Sequence, residues 1–199
     1  MSPNSVERSR EMQIIAGSYR GRRLWTPVGQ TTRPTGAKVK EALFQILGDA
    51  VIGARGLDLF SGCGGLGLEA LSRGCEEMVF VEQSKMAANA IRKNVSALGC
   101  ADRARVAQES VLKFLRRSTL GQSSFDLIFA DPPYRCNLLR DSIALIADRD
   151  LLSEDGTLVA ERWKKDELPE RMSCLYCYLE RTYGDTNVSF WRKEEETNS

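Results

Sequence analysis

The stretch 57–67, L-D-L-F-S-G-C-G-G-L-G, constrains this chain more than any other. It opens as a short apolar strand over 57–60, then breaks into a loop with glycine at four of six positions, Gly62, Gly64, Gly65 and Gly67. A helical pattern follows through Leu66, Leu68, Ala70 and Leu71. Strand, glycine turn and helix, in that order, bring the backbone of an α/β protein against a nucleotide-like ligand. Glycine serves there because a Cβ would obstruct both the tight turn and the close approach. Gly62, Gly64 and Gly67 fit G-x-G-x-x-G, a spacing that a dehydrogenase or a ligand-free βα turn would share. Two acids sharpen the reading. Asp58 lies inside the strand, four residues before the first glycine, and Glu82 ends the next apolar run, E-M-V-F-V-E, twenty residues after Gly62. A carboxylate in that place can accept both hydroxyls of a ribose. NAD and S-adenosylmethionine (SAM) both carry such a ribose, so Glu82 supports a nucleoside ligand without choosing one.

A length of 199 residues suits one domain, or one domain with an appendage, and can bury a full core without staples. No apolar run is long enough to span a membrane, and the polar start M-S-P-N-S-V-E-R-S-R-E lacks a signal-peptide core. A cytoplasmic monomer is expected. Cys63, Cys75, Cys100, Cys136, Cys174 and Cys177 show no framework spacing and read as free thiols. The pair Cys174 and Cys177 is a single C-x-x-C in a chain with no histidine, so no metal site is expected. The missing histidine also excludes Ser-His and Cys-His nucleophiles and imidazole acid-base chemistry. Charge is unevenly placed. Residues 1–40 carry Arg8, Arg10, Arg20, Arg22, Arg23, Arg33, Lys38 and Lys40 against Glu7 and Glu11, a balance of +6 in a chain of net charge +1. A basic segment on a mildly acidic body points to a polyanion met by that segment.

Residues 1–11 read as a disordered extension. The short strand-like pairs Ile14-Ile15 and Leu24-Trp25 flank G-S-Y-R-G-R-R, a hairpin with a basic, aromatic-tipped connection. Arg20, Arg22 and Arg23 suit phosphates, and Tyr19 suits stacking on a base. T-T-R-P-T-G-A-K-V-K then starts a helix with Thr35 as candidate cap. Its apolar face runs through Val39, Ala42, Leu43, Ile46 and Leu47, with Lys38, Lys40 and Glu41 off that face. Strands and helices alternate afterwards: strands at 78–81, 105–107, 125–130 and 156–160, and helices around Ile91, Leu112 and Ile143. Repeated βα units imply a parallel sheet with right-handed crossovers. The last two strands, 175–180 and 188–191, are joined by only R-T-Y-G-D-T-N and must form an antiparallel hairpin. The expected division is 1–11 extension, 12–50 basic hairpin and helix, 51–192 α/β domain and 193–199 polar tail.

The strand F-D-L-I-F-A runs into Asp131, Pro132, Pro133 and Tyr134. Two prolines at the end of a central strand remove backbone donors and fix φ, leaving carbonyls pointing outward. In an open α/β sheet this is where ligands bind. The product is a rigid mouth of acceptors, an aspartate and an aromatic ring, suited to a planar exocyclic amine.

D-P-P-Y after D-L-F-S-G-C-G-G-L-G resembles the SAM-dependent methyltransferases that modify a base nitrogen. From about residue 13 to 192 the chain resembles one family, the bacterial 16S rRNA guanine-N2 methyltransferases. The stretches are I-I-A-G-S-Y-R-G-R-R-L, T-R-P-T, V-K-E-A-L-F-Q-I-L, the glycine loop with L-E-A-L-S-R-G, F-V-E, F-D-L-I-F-A-D-P-P-Y and Y-G-D-T. The resemblance implies a Rossmann-like class I methyltransferase fold with an N-terminal RNA-binding appendage. It implies SAM held by Asp58, Phe60, Gly62, Gly64, Glu82, Gln83, Ser110 and Val111, and the target amine held by Asp131, Pro132, Pro133 and Tyr134. It implies 16S rRNA, free or in the small ribosomal subunit, met by Arg20, Arg22, Arg23, Arg33 and Lys38, with guanine 966 as the family's target. The chain departs from the family twice. Glu109-Ser110 stand where an aspartate usually meets the adenine, and Gly36-Ala37 where an acid often follows T-R-P-T. Rival readings are an adenine-N6 or DNA methyltransferase, a nicotinamide dehydrogenase, and an RNA-binding module without activity.

Overall fold

In a computed structural model, which describes residues 6–27, 36–117, 124–133 and 137–194, the alternating strands and helices form a layered α/β unit. Strands β3 (Arg55–Leu59), β4 (Glu77–Val81), β5 (Ala104–Ala107), β6 (Phe125–Ala130) and β7 (Leu152–Trp163) pair in parallel in the order β5-β4-β3-β6-β7. The sheet continues antiparallel through β10 (Thr186–Lys193), β9 (Leu175–Tyr183) and the two-residue β8 (Arg171–Met172). The short link between β9 and β10 therefore makes the hairpin that its length demands.

Alternation along the strands assigns each residue to a face. Leu57, Leu59, Ile128, Ala130, Leu158 and Ala160 pack on one side with Phe114 of α4 (Val111–Leu115) and Ile143 and Ile146 of α5 (Leu138–Asp148). Leu127, Phe129, Val159, Val188 and Phe190 face the other side. There they meet α1 (Ala37–Leu47), α2 (Gly65–Ser72) and α3 (Lys85–Leu98), together with Ile14 and Leu24. Each fully buried Phe or Leu contributes about 1.5–3 kcal/mol, so this shared core holds residues 14–27 and 36–47 to the sheet firmly. Helix α3 keeps the expected signals: the Ser84 hydroxyl accepts the Ala87 amide at 3.4 Å, and Gly99, at φ 71°, ends the helix.

The N-terminal segment differs from expectation. Strand β1 (Val6–Gln13) pairs antiparallel with β2 (Arg23–Pro27), so residues 6–11 belong to a hairpin and not to an extension. Their strand partners, Trp25 to Pro27, supply the backbone pairing that sequence pattern alone does not reveal. Gly36 is the residue that caps α1, with no side-chain bond, whereas Thr35 lies outside the described residues. The buried face of α1 is Lys40, Leu43, Phe44 and Leu47, an i, i+3, i+4, i+7 set rotated by one position from the apolar count. At the other end, Lys193 is still in β10 and the Glu194 amide bonds the Cys174 carbonyl at 2.8 Å, so the tail begins later than 193.

Candidate active site

The strand order reverses at β3. The chain runs outward through β4 and β5, then returns to the other flank of β3 as β6. Loops leaving the C-terminal ends of strands diverge at such a point and leave a crevice for a ligand. Both sequence motifs exit there, the glycine loop from β3 and Asp131-Pro132-Pro133 from β6. A cavity of about 720 Å³ lies between them, within the size range of small-molecule sites. Its wall brings together Asp58, Phe60 and Gly62, then Glu82 and Gln83, Ser110 and Val111, and Asp131, Pro132 and Pro133. Tyr134 lies outside the described residues.

The glycine loop is held by carboxylates and one hydroxyl. Asp58 is buried, and its Oδ2 accepts the Gly67 amide at 3.0 Å. Burial pushes its carboxyl up to about 7, with Glu82 adding to the rise and the Gly67 bond opposing it. A Cβ on Gly67 would stand 2.4 Å from the Phe80 ring and 2.9 Å from the Asp58 carboxylate, so glycine is what lets α2 close on the sheet. Glu82 accepts the Gly62 amide on Oε2 at 2.9 Å and the Ser84 amide on Oε1 at 2.7 Å. It thus ties the loop to the start of α3 while each oxygen keeps a lone pair for a further donor. Gly62 faces open space: a Cβ there would meet nothing within 4 Å. Gly64, by contrast, is not on the wall. It is the N-cap of α2 at φ 86°, turned toward Leu68 and Phe80, and its part is the turn itself. Ser61 was not visible as a site residue. Its hydroxyl accepts the Val81 amide at 3.0 Å and donates to the Asp58 carbonyl, locking the ends of β3 and β4 together.

Of the two residues at the usual aspartate position, only Ser110 faces the cavity; Glu109 is ion-paired to Arg117 instead. The opposite wall comes from segments whose role pattern alone did not show: Glu161 of β7, Tyr183 and Thr186 of the β9–β10 hairpin, and Met12, Gln13 and Lys40 from the N-terminal face. Y-G-D-T was the one signal for part of it. Lys40 is the largest correction. It is buried, with Nζ 3.1 Å from Glu69 Oε2 and donating to the Gln13 carbonyl at 2.8 Å. The same Glu69 carboxylate accepts the amides of Ile15 and Ala16 at 2.8 and 3.0 Å and Arg73 Nε at 2.9 Å. Burial draws the Lys40 ammonium below its ordinary range, and Glu69 resists that fall. Among the described residues no cluster of acids and thiols is arranged to hold a metal ion, and Cys63, Cys75, Cys100, Cys174 and Cys177 are free thiols.

Residues 12–192 match the family described as conserved hypothetical protein 95. The chain belongs to this family. It is similar to "Putative rRNA methyltransferase YlbH" of Bacillus subtilis, 40% identical over 92% of this chain and 99% of that one. It is also similar to "Ribosomal RNA small subunit methyltransferase D" of Haemophilus influenzae, 38% identical over 87% of this chain and 90% of the relative. Among solved structures, "Putative methyltransferase yhhF from Escherichia coli" superposes with a TM-score of 0.82 at 32% identity, covering 92% and 97% of the two chains. The fold is the class I methyltransferase fold, with a mostly parallel sheet and an antiparallel C-terminal hairpin.

In this member of the family, Arg20, Arg22, Arg23 and Lys38 are exposed, and Arg33 lies outside the described residues. Arg22 also donates from Nη2 to the Ala97 carbonyl at 2.6 Å, which pins the hairpin to the end of α3. Tyr19, expected as a base-stacking tip, is half-buried instead, with its hydroxyl 2.6 Å from Arg103 Nη2. The Tyr19 amide bonds Ser72 Oγ at 2.9 Å, so docking against α2 turns the ring inward. Lys93 of α3 lies over Trp25 of β2, with its Nζ 3.2 Å from the centroid of the ring. No helix among the described residues is long and apolar enough to cross a membrane.

Proposed function

We propose that this chain transfers a methyl group from SAM to the exocyclic N2 of a guanine in the 16S rRNA of the small ribosomal subunit. The observation that carries the reading is the charge of the cavity. Three carboxylates, Glu82, Asp131 and Glu161, stand on its described wall beside the Asp58 carboxyl, which burial pushes up to about 7, and the cation there, Lys40, is paired with Glu69. Such a wall favours cations and N–H donors and repels the pyrophosphate of a dinucleotide. A sulfonium ligand and an amine fit it; NAD does not. The names of the relatives, which speak of ribosomal RNA and its small subunit, support the substrate class.

The residues present suit SAM. Glu82 has lone pairs left for ribose hydroxyls, Gly62 leaves room for close backbone approach, and Ser110 and Val111 offer a wall for the adenine. When bound, SAM supplies an electrophilic methyl group. The work of the chain is to make a poor nucleophile attack it. The guanine amine has its lone pair delocalised into the ring. Asp131 and the Pro132 carbonyl accept its hydrogens and favour a pyramidal nitrogen with the lone pair aimed at the methyl. Pro132 and Pro133 hold these acceptors still by fixing φ. Positioning of this kind supplies several kcal/mol of the barrier. The proton leaves to Asp131 or to water, so no histidine is required. The exposed Arg20, Arg22, Arg23 and Lys38 offer phosphate contacts.

Single-turnover methylation of unmodified small subunits with labelled SAM, followed by mapping of the modified nucleotide, tests the reading. Asp131→Ala should fold, bind SAM and lose roughly a hundredfold or more in rate, as when a preorganised polar partner is removed. A near wild-type rate in that variant would sink the mechanism, and a label on adenine would move the chain to the adenine-N6 class.

A further inference from the structure

One carboxylate on the wall has no part in the steps above. Glu161 is 4% exposed and lines the cavity. Strand pairing sets its place. Ala160 is the partner of Ala130 in the parallel pair of β6 and β7; Glu161 is the next residue of β7, Asp131 is the first residue past the end of β6, and both line the cavity. Such strands lie about 4.8 Å apart. Alternation puts Glu161 on the face of Val159 along β7, the face that Leu127 and Phe129 share along β6, and Asp131 leaves the end of β6 beside it. Leu127, Phe129 and Val159 all belong to the core cluster on that face. On the far side, Val188 of β10 is directly opposite Glu161, and Thr186 lines the same cavity.

The D-P-P-Y mouth by itself demands only an amino group, so it does not choose between guanine and adenine. Guanine presents two neighbouring donors on its Watson–Crick edge, N1–H and the N2 amine. Adenine presents an N1 lone pair beside its amine. Two carboxylates at the adjoining ends of β6 and β7, on one cavity, match the first edge and oppose the second. We infer that Glu161 is the residue that specifies guanine: its carboxylate accepts N1–H while Asp131 accepts from the amine. The inference rests on the guanine-N2 reading given above. A wall built to take an N–H rejects an analogue lacking it far more strongly than a small difference in shape would allow, because the buried acceptor then faces a lone pair.

The test uses the full chain and reconstituted small subunits carrying either guanine or 2-aminopurine at the mapped target nucleotide. 2-Aminopurine keeps the amine but turns N1 into an acceptor. Wild type should prefer guanine by about a hundredfold or more in single-turnover rate. In Glu161→Gln the guanine rate should fall about ten- to a hundredfold, while the 2-aminopurine rate holds or rises, since an amide can donate to N1. SAM affinity and melting temperature should stay near wild type. Equal losses on both substrates, or an unchanged preference, would overturn the inference. So would a wild-type chain that methylates both bases alike, a comparison that needs no variant to fold. Failure of the underlying reading looks different: wild type would then leave guanine unlabelled.

Discussion

Glu69→Ala is the perturbation whose size the structure fixes best. The Glu69 side chain is 0% exposed, and its carboxylate takes four partners: the Ile15 and Ala16 amides at 2.8 and 3.0 Å, Arg73 Nε at 2.9 Å and Lys40 Nζ at 3.1 Å. Truncation strips the buried Lys40 ammonium of its ion-pair partner and leaves two amides without acceptors. Breaking a buried pair from one side costs about 3–5 kcal/mol. Each orphaned amide adds about 1–3 kcal/mol, reduced where water enters the space left behind. A loss of about 5 kcal/mol is expected, and at about 2–4 °C per kcal/mol for a chain of this length the melting temperature should fall about 10–20 °C. Lys40→Met in the same background removes the stranded cation and should recover about 0.5–3 kcal/mol as a coupling energy. Urea unfolding of the two single variants and the double variant closes the cycle. Costs that simply add, or a Glu69→Ala loss under about 1 kcal/mol, would refute the claim that this buried pair fastens the N-terminal hairpin to the glycine-loop helix.

Other perturbations probe the remaining parts. Asp58 holds its proton up to about pH 7 in the folded chain against an ordinary value of 3.8. Its contribution is therefore fully present below about pH 4 and is lost as pH rises through 7, on the order of 4 kcal/mol at most. Asp58→Asn can still accept from Gly67 and should flatten that slope in urea unfolding between about pH 4 and 7; an unchanged slope would show that Asp58 ionises freely. Glu82→Ala should weaken SAM binding by about 2–3 kcal/mol in calorimetry. Because Glu82 also holds the Gly62 and Ser84 amides, it should lower the melting temperature as well, which a residue that met only ligand would not do. Replacing Arg20, Arg22 and Arg23 together should weaken RNA binding and lower its log-log salt slope by somewhat under about one unit per lost phosphate contact, with SAM affinity unchanged. An unaltered slope would make this arm a solvated face.

Local pattern was enough for the parts of the site that lie on one strand and its following loop. The glycine loop, Glu82 and Asp131-Pro132-Pro133 could be read because each sits at a strand end, and parallel βα units send those ends to one edge of the sheet. Ser84 and Gly99 were legible as the ends of α3 because capping is a local hydrogen-bond problem. Where a partner comes from far along the chain, the same reasoning failed. Lys40 looked like surface charge, since the apolar count placed it off the buried face and nothing nearby announced Glu69. Tyr19 looked like an exposed ring, because its partner Arg103 lies 84 residues away.

The sequence by itself thus determined the α/β class, the switch-point motifs and the acidic chemistry of the ligand edge, all set by short-range periodicity and by what glycine and proline do to backbone. Only the tertiary structure decided that Ser110 and not Glu109 faces the cavity, that Gly64 serves the turn, and that Glu161 shares the cavity with Asp131. Those outcomes depend on which strands pair and in what register. Register is fixed by burying whole faces of the sheet at once, a collective energy that no single stretch of residues carries.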